Sequence, residues 1–131
     1  MAHTPPSIDQ WLAEAKSDPR SAHCGMYLVH NGVVRATPKR EVREGAVGIG
    51  RVVGLELSFE QDAVDAALAE ARALPGVQCV RGWINEGTLA VGDTMMVLLI
   101  GADIRPHAID VLDALRDKLK GEVREEREIL G

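Results

Sequence analysis

The sequence predicts a single α+β domain in which helices flank an antiparallel or mixed sheet. Its 131 residues suffice for one domain with a substantial core. Segments with helical spacing of apolar residues alternate with short runs rich in Val, Leu and Ile, which are typical of strands. No internal repeat or low-complexity tract divides the chain, so one compact unit is expected.

The first third predicts a helix, a strand and a loop. Residues 7–10, Ser-Ile-Asp-Gln, form a capping box that opens a short helix. Residues 25–30 are strand-like, and Asn31-Gly32 predicts a tight turn before residues 33–35. Residues 36–45 then predict an exposed, mobile and locally basic loop.

The middle of the chain predicts a strand followed by a helix. Residues 47–57 have strand character, and residues 58–61, Ser-Phe-Glu-Gln, repeat the capping-box pattern. Pro75-Gly76 ends the helix that follows. The apolar face of this helix is Val64, Ala67, Leu68, Ala71 and Leu74.

The last third predicts two strands and a final helix. Residues 77–84 and 94–100 are strands, and the second is so continuously apolar that we expect it in the centre of the sheet. The final helix runs from about Pro106 to Lys120, and a short segment over residues 123–130 closes the chain. The predicted buried stripe of the helix is Ala108, Val111, Leu112, Leu115 and Leu119.

Composition excludes several classes of function. The net charge of −5 argues against a generic nucleic-acid surface, which needs a basic face to release counterions. Aromatic residues make up only 3%, so base-stacking platforms are not expected. No apolar run approaches the roughly 18 residues of a membrane span.

The N-terminus and the cysteines indicate a cytoplasmic protein. Residues 1–6 have neither the positive nor the apolar region of a signal peptide, and we expect them to be disordered, with the domain over residues 7–131. Cys24 and Cys79 lack any CxxC or zinc-ligand spacing, which favours two reduced, part-buried thiols. Neither a metal nor a cofactor is expected.

Three cations are candidates for an anion site. Arg105 and Lys120 bracket the final helix, and Arg35 follows the glycine turn of the first third. Arg105 is expected in the first turn of its helix, where backbone N–H groups favour an anion. Together the three would suit an anionic small molecule, although each also fits an ordinary surface cation. Arg127 stands in a mixed charge run that is typical of a solvated face.

The order of motifs over residues 25–128 resembles the large, catalytic subunit of molybdopterin synthase, the MoaE family. Residues 31–35 correspond to the family's Thr/Ser-Gly-x-Val-Arg motif, and residues 84–100 to its Gly-x-Leu, Gly-Asp and apolar-strand passage. Residues 104–109 correspond to His-Arg-x-x-Ala-Phe, and Lys120 to the catalytic lysine. The resemblance implies an α/β-hammerhead fold and a homodimer.

Two family positions are altered. The family's histidine is Ile104 here, and His107, three residues later, is either its replacement or a helix-surface histidine. The family's Trp-Lys-Lys-Glu falls on residues 125–128. Its second catalytic lysine is therefore Glu126 or Arg127, depending on a one-residue deletion.

The resemblance implies sulfur transfer. Family members convert a cyclic pyranopterin phosphate to molybdopterin, with sulfur from the C-terminal thiocarboxylate of a small ubiquitin-like subunit, MoaD. Lys120 would then be catalytic, because a lysine can pass protons and an arginine cannot. Arg35, Arg105 and Arg127 would bind substrate. The alternatives are a catalytically impaired module that binds or regulates the small subunit, and an interaction domain with no link to molybdenum.

Overall fold

A computed structural model describes residues 3–38 and 50–131 of the chain. The elements are α1 (Ile8–Ser17), a 3-10 helix (Pro19–His23), β1 (Met26–Val33), β2 (Val52–Phe59), α2 (Gln61–Arg72), β3 (Val77–Ile84), β4 (Gly87–Ala90), β5 (Thr94–Ala102), α3 (Arg105–Lys118), a π-helical turn (Leu119–Val123) and β6 (Arg124–Leu130). Most of the basic loop predicted over residues 36–45 lies outside the described residues.

Two antiparallel three-stranded sheets form the framework, with strand orders β1-β5-β3 and β4-β2-β6. The predicted α+β fold with antiparallel sheets is confirmed, and so is the central position of β5. Both faces of β5 are covered: Tyr27 and Arg81 on its neighbouring strands contact α1, whereas Gly82 lies against α2. A strand buried on both faces needs a continuous apolar run rather than alternation.

The two longer helices bury the stripes that their spacing predicts. In α2, the predicted residues from Val64 to Ala71 are buried, whereas Leu74 is 39% exposed because the helix ends at Arg72. A Cβ at Gly82 of β3 would lie 2.7 Å from Leu68 Cδ2, so the glycine allows α2 to approach the sheet closely. In α3 and the turn after it, Ala108, Val111, Leu115 and Leu119 are buried as predicted, Val123 is buried as well, and Leu112 is only partly buried.

Two of the predicted turn and cap signals are wrong. Residues Asn31 and Gly32 form no hairpin turn, because β1 continues to Val33 and pairs with β5 along its length, with only an irregular register at Gly32. The capping box over residues 58–61 is absent, since Ser58 belongs to β2 and Glu60 caps α2 without a side-chain hydrogen bond. Long-range strand pairing outweighs local propensity in both places.

The start of the described chain is attached to the domain. Ser7 Oγ accepts a hydrogen bond from the Gln10 backbone N–H at 3.1 Å, as the first capping box predicts. His3 N–H donates to Asn85 Oδ1 at 2.8 Å, and Asn85 Nδ2 donates to the His3 carbonyl at 3.1 Å. The predicted disordered start covers residues 1–6, of which residues 1–2 lie outside the described part. Within residues 3–38 and 50–131, no helix is long and apolar enough to cross a bilayer.

Candidate functional site

The register between β2 and β6 separates the charged residues of β6 onto two faces. Leu57 of β2 lies opposite Glu126, and Glu56 lies opposite Arg127. Residues directly opposite in an antiparallel pair point to the same face. Glu126 and, two residues away, Arg124 therefore lie on the face of the buried Leu57, which we call the inner face. Arg127 lies on the outer face with Glu56.

On the outer face, Arg127 forms an exposed ion pair. Its Nη2 lies 2.6 Å from Glu56 Oε2, and its Nε donates to the same oxygen at 3.2 Å. The hydrogen bond to Glu56 raises the pKa of Arg127. The Arg127 side chain is 73% exposed and borders an open cavity of about 470 Å³ that also includes Thr88 and Glu125. Arg127, which is predicted to bind substrate, therefore lies on the opposite face of the sheet from Arg124.

On the inner face, Arg124 is a buried cation with incomplete hydrogen bonding. Its side chain is 7% exposed, and that of Glu126 is 12% exposed. The distance from Arg124 Nη2 to Glu126 Oε1 is 3.9 Å, which is long for an ion pair. Within residues 3–38 and 50–131, Arg124 Nε has no hydrogen-bond partner. Burial lowers the pKa of Arg124, and the Glu126 carboxylate opposes this shift.

Two further basic side chains lie near Arg124. Burial lowers the pKa of His30 on β1, and the positive charges of Arg116 on α3 and of Arg124 lower it further. Arg116 also lowers the pKa of Arg124. We call these three electrostatically linked side chains the cationic cluster. None of its members is among the anion-site candidates that the motif order indicates.

Lys120 lies in the π-helical turn that connects α3 to β6. It is half-buried, four residues after Arg116 and four before Arg124. Single π-helical turns are frequent at functional sites. The turn therefore places the predicted catalytic lysine between the two arginines of the cluster along the chain.

Arg35 lies on the same side of β6 as the cluster. It follows β1, and its Nε donates to the Thr37 carbonyl at 3.0 Å. It borders a small cavity of about 20 Å³ together with Met95 and with Glu126 and Glu128 of the inner face. Glu126 thus borders the cavity of Arg35 and lies 3.9 Å from Arg124.

Arg105 lies at the opposite end of α3 from Lys120. The two residues are 15 positions apart, which corresponds to about 22 Å along a helix. Arg105 is exposed, and no residue of the described ranges hydrogen-bonds or forms an ion pair with it. Within one copy of the chain, Arg105 and Lys120 do not meet in a shared pocket.

His107 is fixed at the Arg105 end of α3. Its Nδ1 lies 2.7 Å from Asp103 Oδ1, which also accepts a hydrogen bond from the Ile104 backbone N–H at 2.7 Å. The hydrogen bond to His107 lowers the pKa of Asp103. Ile104 itself is 52% exposed. The pair lies beside the N-terminus of α3, whose N-cap residue, Ile104, makes no side-chain capping hydrogen bond. Whether His107 replaces the missing histidine stays a prediction.

The two cysteines lie on the other side of the domain. Cys24 and Cys79 are free, half-buried thiols that border one cavity of about 240 Å³ with Tyr27. Burial raises the pKa of Cys79. Among the residues that the structure describes, no three His, Cys, Asp or Glu side chains come together to hold a metal.

Comparisons with known proteins agree with the family resemblance that the motif order indicates. The family model described as MoaE protein matches residues 1–122. A molybdopterin synthase structure from Staphylococcus aureus superposes with a TM-score of 0.73 at 16% identity, covering 97% of this chain and 87% of that one. A molybdopterin biosynthesis MoaE protein from Burkholderia ambifaria gives 0.70 at 20% identity, covering 97% and 84%.

A third structure is a complex. It contains subunits 1 and 2 of the molybdopterin-converting factor from Helicobacter pylori, with a TM-score of 0.65 at 13% identity, covering 95% of this chain and 80% of that one. No curated protein sequence matches this chain significantly. At these identities the solved structures establish the fold alone.

Proposed function

This chain belongs to the MoaE family, which acts in molybdenum cofactor biosynthesis, and we propose that it transfers sulfur to a cyclic pyranopterin monophosphate. The sulfur donor is the C-terminal thiocarboxylate of a small ubiquitin-like subunit. One observation carries this proposal: Lys120 is half-buried in the turn that joins two arginines of a cationic cluster, with Arg35 on the same side of β6.

Lysine and arginine side chains have different chemical roles in this proposal. A primary amine releases and accepts protons, whereas a guanidinium stays protonated, so Lys120 handles protons and the arginines hold anions. Each sulfur transfer forms a carbon–sulfur bond on the pterin side chain in place of a carbon–oxygen bond, and water cleaves the resulting thioester, so that the tail leaves as a carboxylate. The incoming tail, the outgoing tail and the pterin phosphate are all anionic, which suits a cationic site in an acidic protein.

The partner and the oligomeric state belong to the same proposal. The Helicobacter pylori complex of two subunits supports a small partner subunit for this chain. Because α3 and the turn after it separate Arg105 from Lys120 by about 22 Å, Arg105 contacts the same substrate only if a second copy supplies it. A homodimer is therefore required for Arg105 to keep its substrate-binding role.

The test of the proposal is molybdopterin formation by the purified chain with a thiocarboxylated small subunit and cyclic pyranopterin monophosphate. Lys120→Ala should lower turnover by about 100-fold or more, because proton transfer by a positioned side chain contributes about 10²–10⁴. Lys118→Ala is the matched control, since Lys118 instead pairs with Glu70 on α2. Unchanged turnover of Lys120→Ala would remove the proposed mechanism.

A second candidate is a catalytically impaired module that binds or regulates the small subunit. Ile104 favours it, because an exposed apolar residue replaces the family's histidine. Binding of the small subunit without any molybdopterin, under conditions in which a known synthase is active, would support the module over the enzyme.

A further inference from the structure

We propose that Cys24 and Cys79 form a redox-active thiol pair, which a peroxide converts to an intramolecular disulfide within the folded domain. Both are free, half-buried thiols that border one cavity of about 240 Å³. This cavity lies on the side of the β1-β5-β3 sheet that α1 and the 3-10 helix cover. The inference goes beyond the proposed function and does not depend on it, because sulfur transfer assigns neither cysteine a role.

The first argument is that the segment of Cys24 lies beside the strand of Cys79. Cys24 is the C-cap of the 3-10 helix, and this helix packs against β3, which contains Cys79. Directly after Cys24, the Gly25 backbone N–H donates to the Ala102 carbonyl of β5 at 2.9 Å. Gly101, the preceding residue of β5, pairs with Cys79. The fold therefore brings to one end of the sheet two thiols that are 55 positions apart in the sequence.

The second argument is a side chain that connects the two thiols across β5. Tyr27 of β1 and Cys79 of β3 are the two neighbours of Gly101. A Cβ at Gly101 would lie 2.9 Å from Tyr27 Cε1 and 3.1 Å from Cys79 Cβ, so both side chains use the space above the glycine. Partial burial raises the pKa of the Tyr27 phenol, and hydrogen bonding with the Cys24 side chain raises it further. Tyr27 thus lies next to both cysteines.

The third argument is the free space beside the thiols. A structural cysteine is usually inert because close-packed side chains surround it. Cys24 and Cys79 instead border a cavity, and the residues of the 3-10 helix Pro19–His23 are not buried in the core. A disulfide requires the two Cα atoms to come within about 7 Å. The short 3-10 helix has room to move toward β3 and satisfy this requirement.

Two thiols and one molecule of peroxide supply all the atoms of the reaction. The Cys24 sulfur attacks a peroxide oxygen, the O–O bond breaks, and Cys24 becomes a sulfenic acid with release of water. The Cys79 sulfur then attacks the Cys24 sulfur, the S–S bond forms, and the sulfenic hydroxyl leaves with the Cys79 proton as a second water. The thiols lose two electrons, which reduce the peroxide. Cys24 reacts first, because burial raises the pKa of Cys79 and keeps that thiol protonated.

The experiment treats the reduced, folded chain with hydrogen peroxide and blocks the remaining thiols with iodoacetamide. Mass spectrometry of the digest without reductant then identifies cross-linked peptides. We expect one intramolecular disulfide between Cys24 and Cys79, a mass lower by two hydrogen atoms, and full reversal by dithiothreitol. A disulfide that forms only in urea, or only between two chains, would overturn the proposal.

Ser17→Cys combined with Cys24→Ser is the matched control. This variant keeps two thiols but moves one from the cavity to an exposed position at the end of α1. It should form no intramolecular disulfide under the same treatment. In Cys79→Ser the reaction should stop at the Cys24 sulfenic acid, which dimedone traps. A control variant that forms its disulfide as readily as the original chain would show that the cavity does not select the pair, and the proposal would fail.

Stability gives a second readout. The urea midpoint of the oxidised chain should exceed that of the reduced chain, because the link restricts the unfolded state. Peroxide-treated Cys24→Ser should show no such rise, which controls for oxidation of the four methionines. A lower midpoint after oxidation would mean that the disulfide distorts the fold, and would refute a pair suited to the native structure. Because no readout is molybdopterin formation, this inference and the proposed function can fail separately.

Discussion

Arg124 and Arg127 are three residues apart on one strand, yet their surroundings are opposite. Arg127 is exposed to water and forms a close ion pair with Glu56 at 2.6 Å. Arg124 is buried, but its distance to Glu126 is 3.9 Å. Stability alone would favour the reverse, because good geometry matters most where desolvation is greatest. The inner face of β6 is therefore poorly optimised for stability, which is a common property of functional sites.

The largest loss of stability should come from shortening an apolar side chain on the inner face. Leu57 lies opposite Glu126 and is 3% exposed. Leu57→Ala should lower the free energy of unfolding by about 2–5 kcal/mol, through lost burial and the cavity left behind. Urea denaturation followed by circular dichroism measures the change. A loss well below 1 kcal/mol would mean that the face is less tightly packed than the structure indicates.

The next effect should come from the charged part of the same face. Glu126→Gln removes the carboxylate nearest to Arg124 and should cost about 1–3 kcal/mol of unfolding free energy, because a buried cation loses its counter-charge. Glu125→Gln, on the outer face of the same strand, is the control. Adding Arg124→Met to Glu126→Gln should recover part of the loss in a double-mutant cycle. A stabilising Glu126→Gln would contradict the buried pairing.

A smaller loss of stability should appear when the pH is lowered. His30 has a folded-state pKa below its ordinary value of 6.5, first because of burial and then because of Arg116 and Arg124. The unfolded chain therefore binds a proton that the folded chain resists, and stability falls as the pH drops below about 6.5. The slope is at most about 1.4 kcal/mol per pH unit for one group.

Urea denaturation between pH 7.5 and 5 measures this slope, and His30→Gln should flatten it. Asp18 and Asp103 have pKa values lowered from 3.8, so their contributions are lost only at more acidic pH. A slope that persists in His30→Gln would assign the pH dependence to other groups and weaken the electrostatic link between β1 and the cluster.

Much of the fold is predictable because its signals are local and periodic. The buried stripes of α2 and α3 repeat every three or four residues, and the apolar run of β5 identifies a strand covered on both faces. The turn at Asn31-Gly32 was wrong because the outcome there depends on pairing with β5, which lies more than sixty residues away. Local propensity contains no information about that partner.

The candidate site is only partly predictable. Lys120 and Arg35 follow from motif order, whereas residues 124–130, Arg-Glu-Glu-Arg-Glu-Ile-Leu, have the composition of a solvated surface. Only the register with β2 determines that Arg124 points inward and Arg127 outward.

The smallest loss of stability should come from a substitution on the outer face of β6. Arg127→Met breaks the ion pair with Glu56, whose side chains are 73% and 47% exposed. Exposed pairs contribute little, because water already solvates both charges and salt screens their attraction. The urea midpoint of Arg127→Met should match that of the original chain at low and at high salt. A destabilisation as large as that of Glu126→Gln would show that both faces of β6 are equally coupled to the fold, and burial would then no longer distinguish Arg124 from Arg127.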